Sequence, residues 1–195
     1  MRHKMAKAHA SGFNASPDSV GGAGASSGGH TLMPAAMRPD DPRHTTLSSP
    51  DVDDHDGKVA YAIAGSPLLD SCARYQYAQG IEDNNLMAST EDYFLNEDAL
   101  QEGSPQGILE RGEDAALPPL LIIQGTADMN IPMSMPHAFV ESYRAAGGSV
   151  ELEEYPDMPH NFILRVGKET DHALGVAKPF VAQQLTASTF ATPAD

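Results

Sequence analysis

Residues 118–128 read PPLLIIQGTAD, and this stretch decides the fold. The prolines mark a boundary, and the residues from Leu120 to Ile123 are apolar without interruption. A continuous apolar run of this length is typical of a strand that is buried on both faces of a parallel sheet. The chain then continues through a glycine to Asp128, so an acidic side chain is expected just beyond the carboxyl end of this strand.

Shorter patterns on either side alternate between strand and helix. Val150 to Tyr155 (VELEEY) alternates in polarity and predicts a half-exposed strand nearer the sheet edge. Two short apolar stretches predict further strands, at Val20 to Ala25 and at Lys58 to Ala64. Helical spacing predicts helices at residues 1–11, from Leu32 to Met37, from Pro136 to Ala146 and from Asp171 to Leu185. This alternation predicts an α/β fold, with a mostly parallel sheet flanked by helices.

Two segments interrupt the alternation. Residues 38–57 are rich in proline, aspartate and histidine without periodicity, and predict an exposed loop. Residues 65–116 contain weakly helical stretches and predict short helices that form a cap or one wall of a pocket. Pro34 is expected in the first turn or two of its helix. The 195 residues are within the usual size of one domain, so a single domain over 1–195 is expected.

Composition excludes several classes of function. The net charge is −15, with 27 acidic residues against 12 lysines and arginines, so the chain repels nucleic acid and anionic membrane surfaces. No apolar run is long enough to span a bilayer, and residues 1–10 lack the apolar core of a secretory signal, so a cytoplasmic location is expected. A single cysteine excludes a paired-cysteine zinc site. The acidic run at 51–56 fails the EF-hand register, so no metal is expected.

The segment Gly24-Ala25-Ser26-Ser27-Gly28 fits G-x-S-x-G at a predicted strand-to-helix turn. On such a turn the serine is raised as a nucleophile, and side chains two residues to either side would collide, which favours Gly24 and Gly28. Ser26 is therefore the candidate nucleophile. A helix-capping role for Ser26, and a register shifted to Ser27, are the alternatives.

A serine hydroxyl needs a neutral imidazole beside it, oriented by a carboxylate. Asp128 follows the buried strand, and His160 follows the strand at 150–155, so the chain order is serine, aspartate, histidine. Asp128 is the candidate acid and His160 the candidate base. Asp70 is an alternative acid after the strand at 58–64, and His137 is a weaker alternative base.

These motifs resemble the α/β-hydrolase superfamily, particularly its acetyl esterase and hormone-sensitive-lipase-like carboxylesterase branch. The similar segments are GASSGGH, GSPLLD, LPPLLIIQGTADMNIP, YRAAGGSVELEEYPDMPHNF and the final helix, which together cover residues 1 to about 186. The resemblance implies a serine hydrolase that cleaves short acyl or acetyl esters of small molecules through an acyl-enzyme, without a cofactor. It also implies that the backbone N–H of Ser27 is an oxyanion donor.

The resemblance further implies that the chain corresponds to the C-terminal part of the hydrolase fold, because no HGG-type loop precedes Ser26. A sheet without its first strands would have an uncovered edge, and self-association through that edge is expected. The alternative function is that of a truncated, catalytically impaired hydrolase fold that acts as a binding module, or of a partial gene model.

Overall fold

A computed structural model describes residues 2–44, 52 and 55–190. Within these residues, four strands form one sheet in the order β1-β2-β3-β4, and every neighbouring pair is parallel. The strands are β1 (Gly22–Ala25), β2 (Ala62–Gly65), β3 (Leu120–Gly125) and β4 (Val150–Tyr155). The parallel sheet confirms the predicted fold class. β4 lies at one edge of the sheet, as its alternating sequence predicts.

The largest difference between predicted and observed strands is at β2, which begins at Ala62 rather than at Lys58. Its neighbour β3 begins directly after two prolines, which have no N–H to donate to a ladder. Pairing therefore starts with Ala62 opposite Leu120, where the N–H of Ala62 donates to Pro119. β1 lies at the other edge, and the association predicted there stays a prediction.

Helices pack on both faces of the sheet. They are α1 (Arg2–Ala8), α2 (Ser27–Met37), α3 (Ser71–Gly80), α4 (Asn84–Phe94), α5 (Glu97–Glu102), α6 (Pro105–Glu110), α7 (Ser134–Ala145) and α8 (Lys168–Phe190). The prediction for α2 is wrong at its start, which is Ser27 rather than Leu32. Pro34 is wrongly predicted as well, because it lies inside the helix beyond the second turn. None of the described helices is long and apolar enough to cross a membrane.

β3 is the centre of the hydrophobic core, and all six of its residues are buried. Successive side chains of a strand point to opposite faces. Leu120 and Ile122 accordingly belong to one cluster, with residues of α2 and α7 such as Met33 and Phe139. The second cluster combines the alternate strand residues Leu121 and Ile123 with residues that include Phe162 and Phe180. The prediction of a strand that is buried on both faces is confirmed.

The segment 38–57 is only partly described. Residues Pro42–His44 form a single 3-10 turn, and residues 45–51 and 53–54 lie outside the described residues. The prediction of an exposed loop is wrong at two positions, since Val52 and Gly57 are buried. The acidic residues Asp51, Asp53 and Asp54 also lie outside the described residues.

Because the strands are parallel, their carboxyl ends lie along one edge of the sheet. β1 ends directly before Ser26, β3 ends three residues before Asp128, and the loop after β4 carries His160. The topology thus brings the three candidate side chains to one edge.

Candidate active site

Ser26 occupies a sharp turn between β1 and α2. Its backbone has φ 51° and ψ −120°, outside the regions that a residue with a side chain ordinarily adopts. The N–H of Ser26 donates to the carbonyl of Gly65 at 2.8 Å, which ties the turn to β2. Backbone strain of this kind costs about 1–3 kcal/mol and persists only where the surrounding structure enforces it.

The two glycines that flank the serine differ in their surroundings. A Cβ atom on Gly24 would lie 2.4 Å from the carbonyl oxygen of Gly28, so no side chain fits there. A Cβ atom on Gly28 would have no described atom within 4 Å, and the φ of Gly28 is not positive. The expectation that steric crowding requires glycine is therefore right for Gly24. It is wrong for Gly28, whose side-chain position is open among the described residues.

The structure joins the three candidate side chains in one hydrogen-bonded row. The hydroxyl oxygen of Ser26 is 2.9 Å from Nε2 of His160. Nδ1 of the same ring is 2.7 Å from Oδ2 of Asp128. The imidazole is 21% exposed and the carboxylate is fully buried, so solvent reaches the base but not the acid.

Asp128 is held by more than the imidazole. Its Oδ1 accepts the backbone N–H groups of Asn130 and Ile131, both at 2.8 Å. Its Oδ2 also accepts an N–H of the Gln124 side chain at 2.9 Å. Burial raises the pKa of Asp128, but the hydrogen bonds from His160 and from the two backbone groups outweigh it and leave the pKa below its usual value. The residue thus caps its own turn and also orients the histidine.

The alternative acid and base lie elsewhere. Asp70 is the N-cap of α3, where its carboxylate accepts the N–H of Ala73 at 2.9 Å. His137 is exposed and hydrogen-bonded to Glu154 at 2.7 Å. Neither side chain has a hydrogen bond to Ser26 or to His160 among the described residues.

Ser27 is exposed and is the first residue of α2. The first N–H groups of a helix have no acceptor within the helix, so the Ser27 N–H has no partner inside α2. Its role as an oxyanion donor stays a prediction.

A pocket of about 260 Å³ opens beside Ser26. Most of its wall comes from the segment 65–116, through Leu68, Arg74, Ser89, Thr90, Tyr93 and Phe94. His30 also lines it, from α2. The His30 ring is buried, and its Nε2 is 2.8 Å from the carbonyl oxygen of Gly103. Burial lowers the pKa of His30, which favours the neutral ring.

Sequence reasoning missed three residues of this region: Gln124, His30 and Arg74. A polar residue at the end of an apolar strand is a weak signal for Gln124, and the other two have none in the linear pattern. The described residues contain no group of three or more histidine, cysteine or acidic side chains placed to hold a metal ion.

Fold and site together define an α/β protein in which serine, histidine and aspartate meet at the carboxyl edge of a parallel sheet. A family model described as the alpha/beta hydrolase fold matches residues 3–164. The chain therefore belongs to the α/β hydrolase fold family.

Sequence and structure comparisons find ester hydrolases. The chain is 26% identical over 181 residues to a protein named probable carboxylic ester hydrolase LipM from Mycobacterium tuberculosis (strain ATCC 25618 / H37Rv), covering 91% of this chain and 40% of LipM. Thermogutta terrifontis esterase 2 phosphonylated by sarin has a TM-score of 0.70 at 20% identity, over 93% of this chain and 63% of that one. Its propionate-bound structure has a TM-score of 0.65 at 21% identity, over 100% and 65%. The chain thus spans less than two thirds of the length of these relatives.

Proposed function

We propose that the chain hydrolyses carboxylic esters through an acyl-enzyme formed on Ser26. One observation carries the proposal: the row of hydrogen bonds from the Ser26 hydroxyl through His160 to the buried Asp128. This constellation is recognised by geometry and roles, and it performs acyl transfer on several unrelated folds. The names of the relatives, a carboxylic ester hydrolase and an esterase, support an ester as the substrate.

In the proposed first step, the Ser26 oxygen attacks the ester carbonyl while its proton passes to Nε2 of His160. The distance of 2.9 Å between these atoms suits such a transfer. The imidazolium then gives this proton to the departing alcohol, and an acyl-serine ester remains. In the second step water attacks the acyl group with His160 again as base, and the carboxylic acid leaves.

The proposed role of Asp128 is electrostatic and orienting. Its carboxylate accepts the Nδ1–H of His160, which leaves Nε2 free to accept the serine proton. The negative charge that appears on the ester oxygen needs N–H donors, and the proposal assigns one of them to Ser27. A pocket of about 260 Å³ supports a substrate with a short acyl group, such as an acetyl ester.

Hydrolysis of 4-nitrophenyl acetate by the purified chain tests the proposal. Ser26→Ala should reduce turnover to the uncatalysed rate, whereas Ser27→Ala should retain activity because it keeps the backbone N–H. The Ser27 variant is the matched control, since it removes the hydroxyl that a shifted register would use. Loss of activity in Ser27→Ala alone would overturn the assignment of Ser26.

A fluorophosphonate probe gives a second readout that does not depend on turnover. It should add one phosphonyl group to the chain, detected by intact mass, and Ser26→Ala should abolish the addition. The sarin-phosphonylated state of T. terrifontis esterase 2 supports the choice of this chemistry. A folded chain that neither turns over ester nor reacts with the probe would instead favour the binding-module alternative.

A further inference from the structure

The pocket beside Ser26 contains a buried arginine that has no acidic partner in contact among the described residues. Arg74 projects from α3, lines this pocket and is only 7% exposed. Its charge persists in water at any ordinary pH, because guanidinium is not deprotonated in proteins. A charge removed from water in this way is costly unless another charge or several hydrogen bonds compensate it.

The partners of Arg74 are all neutral. Nη1 donates to the carbonyl of Leu86 and to the hydroxyl of Thr90, and Nη2 donates to the side-chain oxygen of Asn130 at 3.1 Å. Nε is buried and has no acceptor among the described residues. Guanidinium has five N–H groups, so the part of the chain that the structure describes leaves the Nε–H and one N–H on Nη2 without an acceptor.

Arg38 is another largely buried arginine, and it does have acidic partners. Its guanidinium contacts Glu113 at 2.6 Å and Glu102 at 2.8 Å. Arg74 has no carboxylate within ion-pair distance among the described residues, although the whole chain contains 27 acidic residues. Asp83 acts on it only through its charge, which opposes the lowering of the Arg74 pKa by burial. Among the described residues, the guanidinium at the wall of this pocket thus has no carboxylate in direct contact with it.

We propose that the acidic partner of Arg74 is supplied by the substrate: the ester carries a second group, a carboxylate, that binds this guanidinium. The inference deepens the proposed ester hydrolysis and rests on it. A carboxylate accepts two N–H groups of a guanidinium side by side, in charge-assisted hydrogen bonds stronger than those to neutral acceptors. The overall charge of −15 repels an anionic substrate at long range, so a local cation is needed to retain it.

Two pairs of esters of matched size test the proposal. In the first pair, 4-nitrophenyl hexanoate is compared with the 4-nitrophenyl hemiester of adipic acid, which carries the carboxylate on the acyl side. In the second pair, phenyl acetate is compared with 4-carboxyphenyl acetate, which carries it on the alcohol side. The measured quantity is the ratio of kcat/KM for the anionic ester to that for the neutral one, after subtraction of the rate with Ser26→Ala.

Arg74→Met should lower this ratio about 10- to 100-fold in one of the two pairs, the range of a hydrogen bond to a charged group. Arg165→Met is the matched control, because Arg165 is exposed and lies outside the pocket, and its ratio should equal that of the native chain. An unchanged ratio in Arg74→Met in both pairs would overturn the proposal and assign Arg74 to a structural role between α3, α4 and Asn130. So would a native chain that prefers the neutral ester in both pairs.

The proposal can fail separately from ester hydrolysis. If neutral esters are hydrolysed in a Ser26-dependent way and the ratios do not respond to Arg74, only this inference fails. If no ester is hydrolysed, calorimetric titration of the folded chain with adipate tests the site without turnover. Binding by the native chain that is lost in Arg74→Met supports the site, and absence of binding by the native chain overturns it. If Arg74→Met does not fold, the adipate titration of the native chain alone is the test.

Discussion

Replacing Asp128 by asparagine separates the catalytic role that we propose for this carboxylate from its structural role. Its two oxygens accept four N–H groups, two at Oδ1 from Asn130 and Ile131 and two at Oδ2 from Gln124 and His160. An asparagine oxygen can keep the two backbone hydrogen bonds at the Oδ1 position. Its amide nitrogen then replaces Oδ2, so the hydrogen bond from Gln124 is lost and the one with His160 survives only with its direction reversed.

The catalytic loss follows from the tautomer of the histidine. An amide N–H in place of Oδ2 requires Nδ1 of His160 to accept, which moves the ring proton to Nε2. That nitrogen then donates to the Ser26 hydroxyl and cannot receive its proton. We expect kcat for 4-nitrophenyl acetate to fall by about 10³- to 10⁴-fold, as in serine hydrolases whose triad aspartate is changed to asparagine.

The structural loss is much smaller. A hydrogen bond to a charged group contributes about 1.5–3 kcal/mol, so loss of the one from Gln124 should lower the free energy of unfolding by about that amount, measured by urea denaturation. Because the pKa of Asp128 is lowered in the folded chain, this contribution is present above the unfolded carboxyl pKa of about 4. It should be lost as the pH falls further through the folded value, so the difference between native chain and variant should shrink there.

Asp70→Asn is the matched control, because it makes the same chemical change at the carboxylate that caps α3. An asparagine at an N-cap accepts the same backbone N–H, so both activity and stability should stay close to those of the native chain. The reasoning is refuted if Asp128→Asn retains more than about a tenth of native kcat, or if Asp70→Asn loses as much.

Four further substitutions are predicted from the described contacts. Gly24→Ala should destabilise the chain by about 2 kcal/mol or more in thermal unfolding, because a Cβ atom at position 24 meets backbone. Gly28→Ala should be neutral or slightly stabilising, because a Cβ atom at position 28 meets no described atom. Equal effects of the two substitutions would contradict this prediction. Gln124→Leu should lower kcat about tenfold with little change in KM, since it removes one donor from the Asp128 carboxylate; a change confined to KM would argue against it. In the native chain, stability should decrease as the pH falls below about 6.5, because burial lowers the pKa of His30 and the unfolded chain takes up the proton first. His30→Gln should reduce that slope in denaturation curves measured from pH 7 to 5, and an unchanged slope would exclude His30 as its source.

The parts of the fold that local patterns encode could be predicted from the sequence. Four consecutive apolar residues predicted β3, and the G-x-S-x-G motif predicted the turn at Ser26, because each pattern has a strong local cause. Element boundaries were less accurate where the cause lies in another element. The start of β2 at Ala62 depends on the two prolines before β3, which are more than fifty residues away in the sequence.

Long-range partners of buried polar groups could not be predicted in the same way. In the sequence, Arg74 is an ordinary polar position in a weakly helical segment. Only the folded structure shows that its side chain is buried at the pocket, with no carboxylate in contact among the described residues. Gly28 illustrates the opposite error, since the motif suggested crowding where the described structure has open space. In both cases the three-dimensional surroundings of the residue decide the outcome, and the linear pattern does not contain them.

The short turn that follows β3 connects Asp128 with Arg74, which lines the pocket. Asp128 fixes this turn by accepting the backbone N–H of Asn130, and the side chain of Asn130 in turn accepts an N–H of Arg74. Asn130 thus links the carboxylate that is hydrogen-bonded to His160 with the guanidinium proposed to hold the substrate. A ligand that binds Arg74 would therefore act on a turn whose backbone is hydrogen-bonded to the proposed catalytic carboxylate. The same turn contacts both Asp128 and Arg74, so we expect a change in the turn to alter both kcat and the preference for anionic esters.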